Sequence, residues 1–465
     1  MVFSSLEFLF WFLPAFLLLY YIASDRYKNY VLLFASLFFY AYGEPLYLLL
    51  MVFSIVVNYG LSRVMINKGT GKASKLILVI SLVIDFGILF VFKYFNFFMS
   101  NINNCFGYAF IPLLKLTLPL GISFYTFQIS SYMVDIYRGK YDVEKNIIKF
   151  ATYVSMFPQL IAGPIVSFDE VKNDLDNKKI NLASIEKGLE IFIIGLVYKV
   201  LLANNISSLW NDVNTMGPYG INAGTAWLGS WGFSMQLYFD FFGYSLMAIG
   251  LGKAMGFNLP KNFNNPYMAV SLTDFWRRWH ITLSRWFKNY VYIPLGGNRC
   301  SKIRHIFNLL VVWLLTGLWH GADWNFVLWG LCTCIVLILE KFFLHKFLDK
   351  SRILGHIYML ILIPVFWTIF NISDLNVLVL YLKRMFFIPL DGFVAANTMT
   401  TFIHLIKRYW WLLLICIVCA TPIPFKLFAK KHKSIICKII LFVLFWLCVY
   451  ELVFGSNNPF LYFRF

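Results

Sequence analysis

Two stretches of the chain decide its fold. Residues 271–299 read SLTDFWRRWHITLSRWFKNYVYIPLGGNR, and residues 314–330 read LLTGLWHGADWNFVLWG. In the second stretch, His320 lies within an apolar, tryptophan-rich run of the kind that crosses a membrane. Ionisable side chains are costly in a bilayer and usually face an internal cavity that serves chemistry or transport. His320 is therefore the first candidate for a functional residue.

The composition is that of a membrane protein. Of the 465 residues, 60% are hydrophobic and 13% are charged, against roughly 45–50% and 25% in soluble domains. Apolar runs recur along nearly the whole length, and the first, residues 8–21, lacks the features of a cleaved signal peptide. We predict one all-α polytopic membrane domain over residues 1–465, with about ten to twelve spans and short re-entrant or interfacial helices.

The basic charge points to the bilayer and not to nucleic acid. The formal net charge is +18, but the lysines and arginines lie in connectors between apolar runs. Basic connectors stay on the cytoplasmic side, and their alternation over the first spans predicts an external N-terminus. The eight cysteines lie mostly in or beside apolar runs without metal-ligand spacing, so we predict neither disulfides nor a metal site.

One apolar segment leaves two alternatives open. Residues 147–162 are followed by Gly163 and Pro164, and this break fits a re-entrant or half-length helix as well as a full span. Irregular backbone at membrane depth requires a protein-lined cavity.

The segment from Ser271 to Tyr290 has the pattern of an amphipathic helix. Ser271 and Asp274 have the spacing of a capping box at its start. One face would carry aromatic residues and His280, and the opposite face would be basic. Such a helix lies along a membrane surface, where its basic face suits lipid phosphates or an anionic cofactor. An interfacial helix without a role in catalysis is the alternative. The aromatic face comprises Trp276, Trp279, His280, Leu283 and Phe287, and the basic face Arg278, Arg285 and Lys288.

His320 has the chemistry of a general base. A neutral imidazole removes the proton of a hydroxyl that attacks an acyl donor, which contributes roughly 10²–10⁴ in rate. Gly317 and Gly321 permit close approach of backbone or ligand, and Asp323 would orient the ring if the helix continues. The alternative is a packed histidine bonded to a backbone carbonyl. Asp240, in QLYFDFFGYS, is a candidate for lining the same cavity, whereas we expect Asp85 to pair with a basic residue on a neighbouring span.

At these residues the chain resembles a known family. The WRRWH segment with its KNYVYIPLGGNR continuation, and LTGLWHGADWNFVLWG, are similar to motifs of the membrane-bound O-acyltransferase (MBOAT) family, in particular its bacterial branch with the alginate O-acetylation membrane protein. The resemblance covers most of the chain in the same order. It includes FASLFFYAYGEP at 34–45, LPLGISFYTFQISSYMVDIYRG at 118–139, FPQLIAGPI at 157–165 and YFDFFGYSLMAIGLGKAMGF at 238–257.

The resemblance implies a fold, an activity and a location. It implies a ring of helices around a central tunnel in a bacterial cytoplasmic membrane, where a cytoplasmic acyl donor meets an acceptor from the outer side. It assigns catalysis to the histidine of the WHG motif, here His320, with His280 as a second candidate. Arg277 and Arg278 would help His280 to hold or polarise the donor. Trp276, Trp319 and Trp324 would shape a dry tunnel.

The resemblance also implies substrates and a partner. We expect acetyl transfer from acetyl-CoA or an acyl carrier, with no bound cofactor, to hydroxyls of an extracytoplasmic polysaccharide such as alginate or peptidoglycan. An extracytoplasmic SGNH, esterase-like acetyltransferase would complete delivery.

Two alternatives remain. One is D-alanyl transfer to teichoic acid by the same chemistry, although the PLGGNR ending at 294–299 looks more like the polysaccharide-acetylating branch. The other is a transporter of a lipid-linked sugar, with Asp240 and His320 in its pathway. Consumption of a thioester donor distinguishes the enzyme from the transporter.

Overall fold

The computed structural model describes residues 1–66, 71–161, 163–348, 350–390, 398–455 and 461. Over these residues the secondary structure is helical and contains no strand, which confirms the all-α prediction. Among them, eight helical segments are long and apolar enough to cross a membrane, and Phe8–Ile22 is a shorter apolar helix. The eight are Pro45–Met65, Lys72–Phe106, Leu182–Met216, Lys302–His320, Trp324–Leu344, Arg352–Asn371, Thr398–Cys419 and Ile435–Phe454.

The contacts group the chain into two compact units. The first contains Met1–Phe192 and Tyr244–Lys261, and the second contains Ile193–Gly243 and Asn262–Phe465. In chain order, the helices as far as residue 254 are α1 (Leu13–Ile22, after a π-helical turn), α2 (Lys28–Gly43), α3 (Pro45–Ile66), α4 (Lys72–Leu89), α5 (Phe95–Phe106), α6 (Ile122–Tyr137), α7 (Ile147–Ser155), α8 (Phe157–Leu160), α9 (Phe168–Asp176), α10 (Leu182–Val197), α11 (Asn204–Met216) and α12 (Ala223–Ala254).

The remaining helices all belong to the second unit. They are α13 (Leu272–Arg278), α14 (Ile281–Phe287), α15 (Lys302–His320), α16 (Trp324–Leu339), α17 (His345–Leu348), α18 (Arg352–Asn371), α19 (Leu375–Met385), α20 (Thr398–Cys419), α21 (Ile423–Lys431) and α22 (Ile435–Phe454). Short π-helical segments extend α14 as Lys288–Tyr292 and α16 as Glu340–Leu344.

Two of the expected spans differ from ordinary membrane-crossing helices. Helix α7 has nine residues, which at about 1.5 Å per residue is too short to cross a bilayer. Over residues 147–161 the half-length alternative is therefore the one observed, and residue 162 lies outside the described residues. Helix α12 has 32 residues and is buried on nearly all sides, so it serves as a core helix along most of its length.

Asp85 has a different partner from the expected one. Its Oδ1 accepts a hydrogen bond from the Asn58 amide at 2.8 Å, and Asn58 in turn accepts one from the Ser81 hydroxyl. The prediction of a basic partner was wrong, because the carboxyl group of Asp85 is hydrogen-bonded here by an amide of α3.

The prediction of a single helix over residues 271–290 was also wrong, because the helix breaks at His280. The Ser271 side chain accepts from the Asp274 backbone N–H at 3.0 Å, so the predicted helix start is confirmed. His280, however, has φ 44° and ψ 54°, in the left-handed region. The backbone N–H of Ile281 donates to the Asn262 carbonyl, and that of Asn264 donates to the Arg278 carbonyl, both at 2.9 Å. These bonds to residues 262–264 replace the helical ones and separate α13 from α14.

Helices α15 and α16 pack closely through glycines. A Cβ atom on Gly317 would lie 2.4 Å from the Phe326 carbonyl oxygen, and one on Gly330 would lie 2.5 Å from that of Trp313. A Cβ atom on Gly321 would lie 2.1 Å from the Phe326 ring. The close approach expected at Gly317 and Gly321 is therefore made by α16 and its side chains, and it fixes the end of α15, where His320 lies.

Candidate functional site

One cavity contains both candidate histidines. Its volume is about 280 Å³, and residues of α13, α14, α15 and α16 line it. His280 and His320 both contribute to its wall, together with Trp276 and Trp279. The aromatic face predicted for residues 276–287 therefore lines one cavity in full, although two short helices carry it in place of one. Its members on the wall are Trp276, Trp279, His280, Leu283 and Phe287.

His320 is the last residue of α15 and is enclosed by aromatic rings. Its imidazole meets Trp319, Trp329 and Phe370 edge to face, with ring centroids 5.0, 5.2 and 5.1 Å away. The side chain is largely buried, at 7% exposure. These contacts restrict the ring to one region of the cavity wall and exclude water from its sides.

The tautomer of His280 follows from its neighbours. Asn262 Oδ1 lies 3.3 Å from the Thr282 backbone N–H, which only donates, so the oxygen of the amide faces this group. The same oxygen lies 3.1 Å from His280 Nδ1. Nδ1 therefore carries the proton and donates it, and Nε2 keeps its lone pair. Within the described part of the chain, Nε2 has no hydrogen-bond partner.

Burial keeps His280 neutral. The side chain is 2% exposed, and its removal from water lowers the pKa of the imidazole to about 3. A group with so low a pKa is a weak proton acceptor near neutrality. His280 is therefore suited to accept a hydrogen bond from a bound ligand, and its left-handed backbone places strain at this point of the site.

The cavity is basic at the end opposite His320. Arg277, Lys288 and Lys341 line it, and no acidic residue does among those described. Lys341 Nζ lies 3.0 Å from His305 Nε2, which also meets the Tyr292 hydroxyl at 3.0 Å. His305 and His320 are 15 residues apart on α15, or about 22 Å at the helical rise. The cavity thus joins a cationic end to a dry histidine end.

The other predicted site residues have different positions. Arg278 pairs with Asp274 at 2.9 Å and is not on the wall, in contrast to Arg277. Trp319 lies beside both histidines, with its ring centroid 5.7 Å from that of His280. Trp324 is 49% exposed and lies off the cavity wall, because it begins α16 after the turn that follows His320.

Two acidic residues serve structural contacts. Helix α15 ends at His320, so Asp323 does not share its helix and instead caps α16, accepting from the Trp324 N–H at 2.7 Å. Asp240 is buried in an ion pair with Lys199 at 2.7 Å and lies off the cavity wall. Asp323 was expected to orient His320 and Asp240 was expected to line the cavity, but neither does so.

Sequence reasoning missed Asn262 and Lys341. Asn262 lies in KNFNNPY, where a run of amides just before the WRRWH segment was a usable signal. Lys341 follows a long apolar run and resembles an ordinary membrane-flanking lysine. Only the return of α16 alongside α15 brings it to the cavity.

Comparison with known proteins identifies the family. The model of the MBOAT, membrane-bound O-acyltransferase family, matches residues 84–383, which include the whole cavity wall. The chain belongs to this family. It is accordingly an O-acyltransferase and a multi-pass membrane protein.

Bacterial relatives support this assignment. A probable alginate O-acetylase AlgI of Pseudomonas aeruginosa is 40% identical over 81% of this chain and 73% of its own. A peptidoglycan O-acetyltransferase of Helicobacter pylori is 38% identical over 83% of this chain and 80% of its own. A teichoic acid D-alanyltransferase of Streptococcus thermophilus is 26% identical over 60% of this chain and 74% of its own.

Proposed function

We propose that this MBOAT protein transfers an acetyl group from a phosphate-bearing thioester across the membrane, toward hydroxyl groups of an extracytoplasmic cell-envelope polysaccharide. The supporting relatives at 38–40% identity are an alginate and a peptidoglycan O-acetylating protein, whereas the D-alanyltransferase is more distant. The observation that carries the proposal is the cavity with a cationic end and a histidine end.

The donor binds along α15. Its phosphates meet Arg277, Lys288 and Lys341, and its thioester arm extends toward His320. A volume of about 280 Å³ is at the lower end of the ~300–1,000 Å³ typical of small-molecule pockets, so the cavity admits the slender arm and leaves a nucleotide or carrier protein outside. Acetyl-CoA and an acetylated carrier protein both present phosphate joined to a slender thioester arm.

His320 acts as the general base. It takes the proton of the acceptor hydroxyl as that oxygen attacks the thioester carbonyl, and a tetrahedral intermediate forms. The carbon–sulfur bond then breaks, and the histidinium returns the proton to the leaving sulfur. The products are an ester and a free thiol, so atoms and charge balance.

His280 orients a ligand group. Its free Nε2 lone pair accepts a hydrogen bond from an amide N–H of the donor arm or from the acceptor hydroxyl, and Asn262 holds the ring in the tautomer that this requires. The Nε2 lone pair cannot polarise a carbonyl group, so His280 does not have that role in the proposed reaction. Trp276, Trp279 and Trp319 keep the reacting end dry.

We further propose a separate extracytoplasmic acyltransferase of the esterase-like SGNH type as the partner that carries the acetyl group to the polymer. The described residues outside the eight candidate spans form connectors and further helices, the longest of which, α12, is almost entirely buried, so they offer little surface for a long polysaccharide.

The test is a donor assay with purified protein in nanodiscs. Radiolabelled acetyl-CoA is supplied with cell-envelope polysaccharide and membrane extract, and thioester loss and label transfer are measured. We expect His320→Ala to lose transfer by at least about 10²-fold with normal membrane insertion. His404→Ala, at an exposed histidine of α20, is the matched control and should retain activity.

Three outcomes decide between the alternatives. Retained activity in His320→Ala overturns the assignment of the base. If the wild type consumes a D-alanyl carrier but no acetyl donor, the reaction is D-alanylation and the proposed acetyl transfer is wrong. Absence of consumption of any thioester by the wild type contradicts the proposed donor chemistry.

A further inference from the structure

A second and larger cavity lies among other helices of the second unit. Its volume is about 1080 Å³, slightly above the range of ~300–1,000 Å³ for small-molecule pockets. Residues from 194–205, α20, α21 and α22 line it. None of the residues on its wall belongs to the histidine cavity, so the acyl-transfer proposal does not account for it.

The wall along α22 is a continuous apolar stripe. Ile436, Ile440, Leu444 and Leu447 line the cavity at intervals of three or four residues, which places them on one face of the helix. From Ile436 to Leu447 the stripe extends for about 16 Å. The hydrocarbon region of one leaflet is about 15 Å deep. The stripe is therefore long enough to accompany an acyl chain through a leaflet.

The two ends of the cavity carry opposite charge. Lys430, Lys431 and Lys433 line the end where α21 leads into α22, and Glu451 lines the far end. In the part of the chain that the structure describes, none of these three lysines forms an ion pair. Since α20 and α22 are both candidate spans, the connector that holds the lysines lies at a membrane surface. Clustered lysines at a membrane surface attract anionic lipids.

We propose that this cavity binds one phospholipid with an anionic headgroup. Its phosphate lies among Lys430, Lys431 and Lys433, and its acyl chains follow the apolar stripe of α22. The polarity of the cavity sets the orientation, because Glu451 repels a phosphate at the far end. The site thus recognises a ligand in which an anionic group is joined to long hydrocarbon chains.

The test uses the fluorescence of Trp411, which lines the cavity and is 50% exposed. The full chain is placed in nanodiscs of phosphatidylcholine that contain a small fraction of phosphatidylglycerol with brominated chains, which quench tryptophan at contact. The signal of Trp411 is the difference between the wild type and Trp411→Phe. We expect strong quenching by brominated phosphatidylglycerol and weak quenching by the same fraction of brominated phosphatidylcholine.

Two variants separate the charged end from the apolar wall. The triple variant Lys430→Gln, Lys431→Gln, Lys433→Gln should lower the affinity for phosphatidylglycerol by roughly two orders of magnitude. Leu444→Phe narrows the cavity at its apolar wall without adding a tryptophan and should also weaken the preference. The matched control removes three exposed lysines elsewhere, as Lys72→Gln, Lys75→Gln, Lys179→Gln, and should keep it.

Each contrary result overturns the proposal. Equal quenching by both brominated lipids means that the cavity takes any bilayer lipid. Unchanged preference in the triple lysine variant means that these lysines only orient the connector. Displacement of the lipid by soluble glycerol phosphate means that the site recognises a free phosphate and not a lipid. All three readouts are independent of acyl transfer, so a failure here leaves the proposed function intact.

Discussion

At the scale of single residues, the contact between Asn262 and His280 matters most for chemistry. If Asn262 fixes the tautomer of His280, then Asn262→Ala should lower kcat by about 10- to 100-fold, as the loss of orienting partners does for metal-bound histidines. Asn262→Asp keeps an oxygen opposite Nδ1 and should retain more activity than Asn262→Ala. Steady-state kinetics with both variants at equal membrane abundance measures this. Equal losses in the two variants would contradict a role in orientation.

His280 should also make stability depend on pH. The pKa of its imidazole falls from 6.5 to about 3 on burial, so between these values the unfolded chain binds a proton that the native chain does not. The free energy of unfolding should therefore decrease as the pH falls below about 6.5, with a slope of up to about 1.4 kcal/mol per pH unit from this residue.

Unfolding titrations in detergent at pH 7 and pH 5 measure this slope. In His280→Gln the contribution is absent, so the variant should lose less stability than the wild type over the same interval. A steeper loss in the variant would show that His280 is protonated in the native state.

At the scale of elements, the crossing of α15 and α16 holds His320 in place. A methyl group on Gly317 or Gly330 meets backbone oxygen within 2.5 Å, so Gly317→Ala and Gly330→Ala should each destabilise the protein by roughly 1–3 kcal/mol and reduce acyl transfer. Gly87→Ala is the matched control, because a Cβ atom there has no neighbour within 4 Å. Thermal unfolding and donor consumption of the three variants are the measurements. Unaltered stability in the α15 and α16 variants would contradict close packing there.

The elements also show what sequence patterns predict and what they miss. Apolar periodicity predicted the spans around His320 and the aromatic wall of the cavity, because both depend on residues within one or two helical turns. It failed at the break between α13 and α14, which depends on backbone bonds to residues 262–264, some 16 residues earlier. It also failed for Asp323, which was expected to orient His320. The end of α15 is set by packing at Gly317 and Gly321, and no polar residue nearby in the sequence marks it. Lys341 reaches the cavity only through the antiparallel return of α16.

At the scale of the whole molecule, the distribution of charge governs access to the site. The chain carries a net charge of +18, and the cavity has three cations and no carboxylate on its described wall. Exposed electrostatic attraction weakens with salt. The KM for acetyl-CoA should therefore rise as ionic strength rises, whereas that for acetyl-pantetheine, which lacks phosphate, should change little. The same salt response for both donors would contradict phosphate recognition at the basic end.

The left-handed turn at His280 also restricts how the length of the chain can vary. Residues on both sides of the turn face the same cavity, and each short helix is fixed in rotation by the backbone bonds at its junction. One inserted residue in α13 or α14 would turn the following side chains by about 100°, away from the cavity. Insertions and deletions should therefore be eliminated by selection between Leu272 and Phe287.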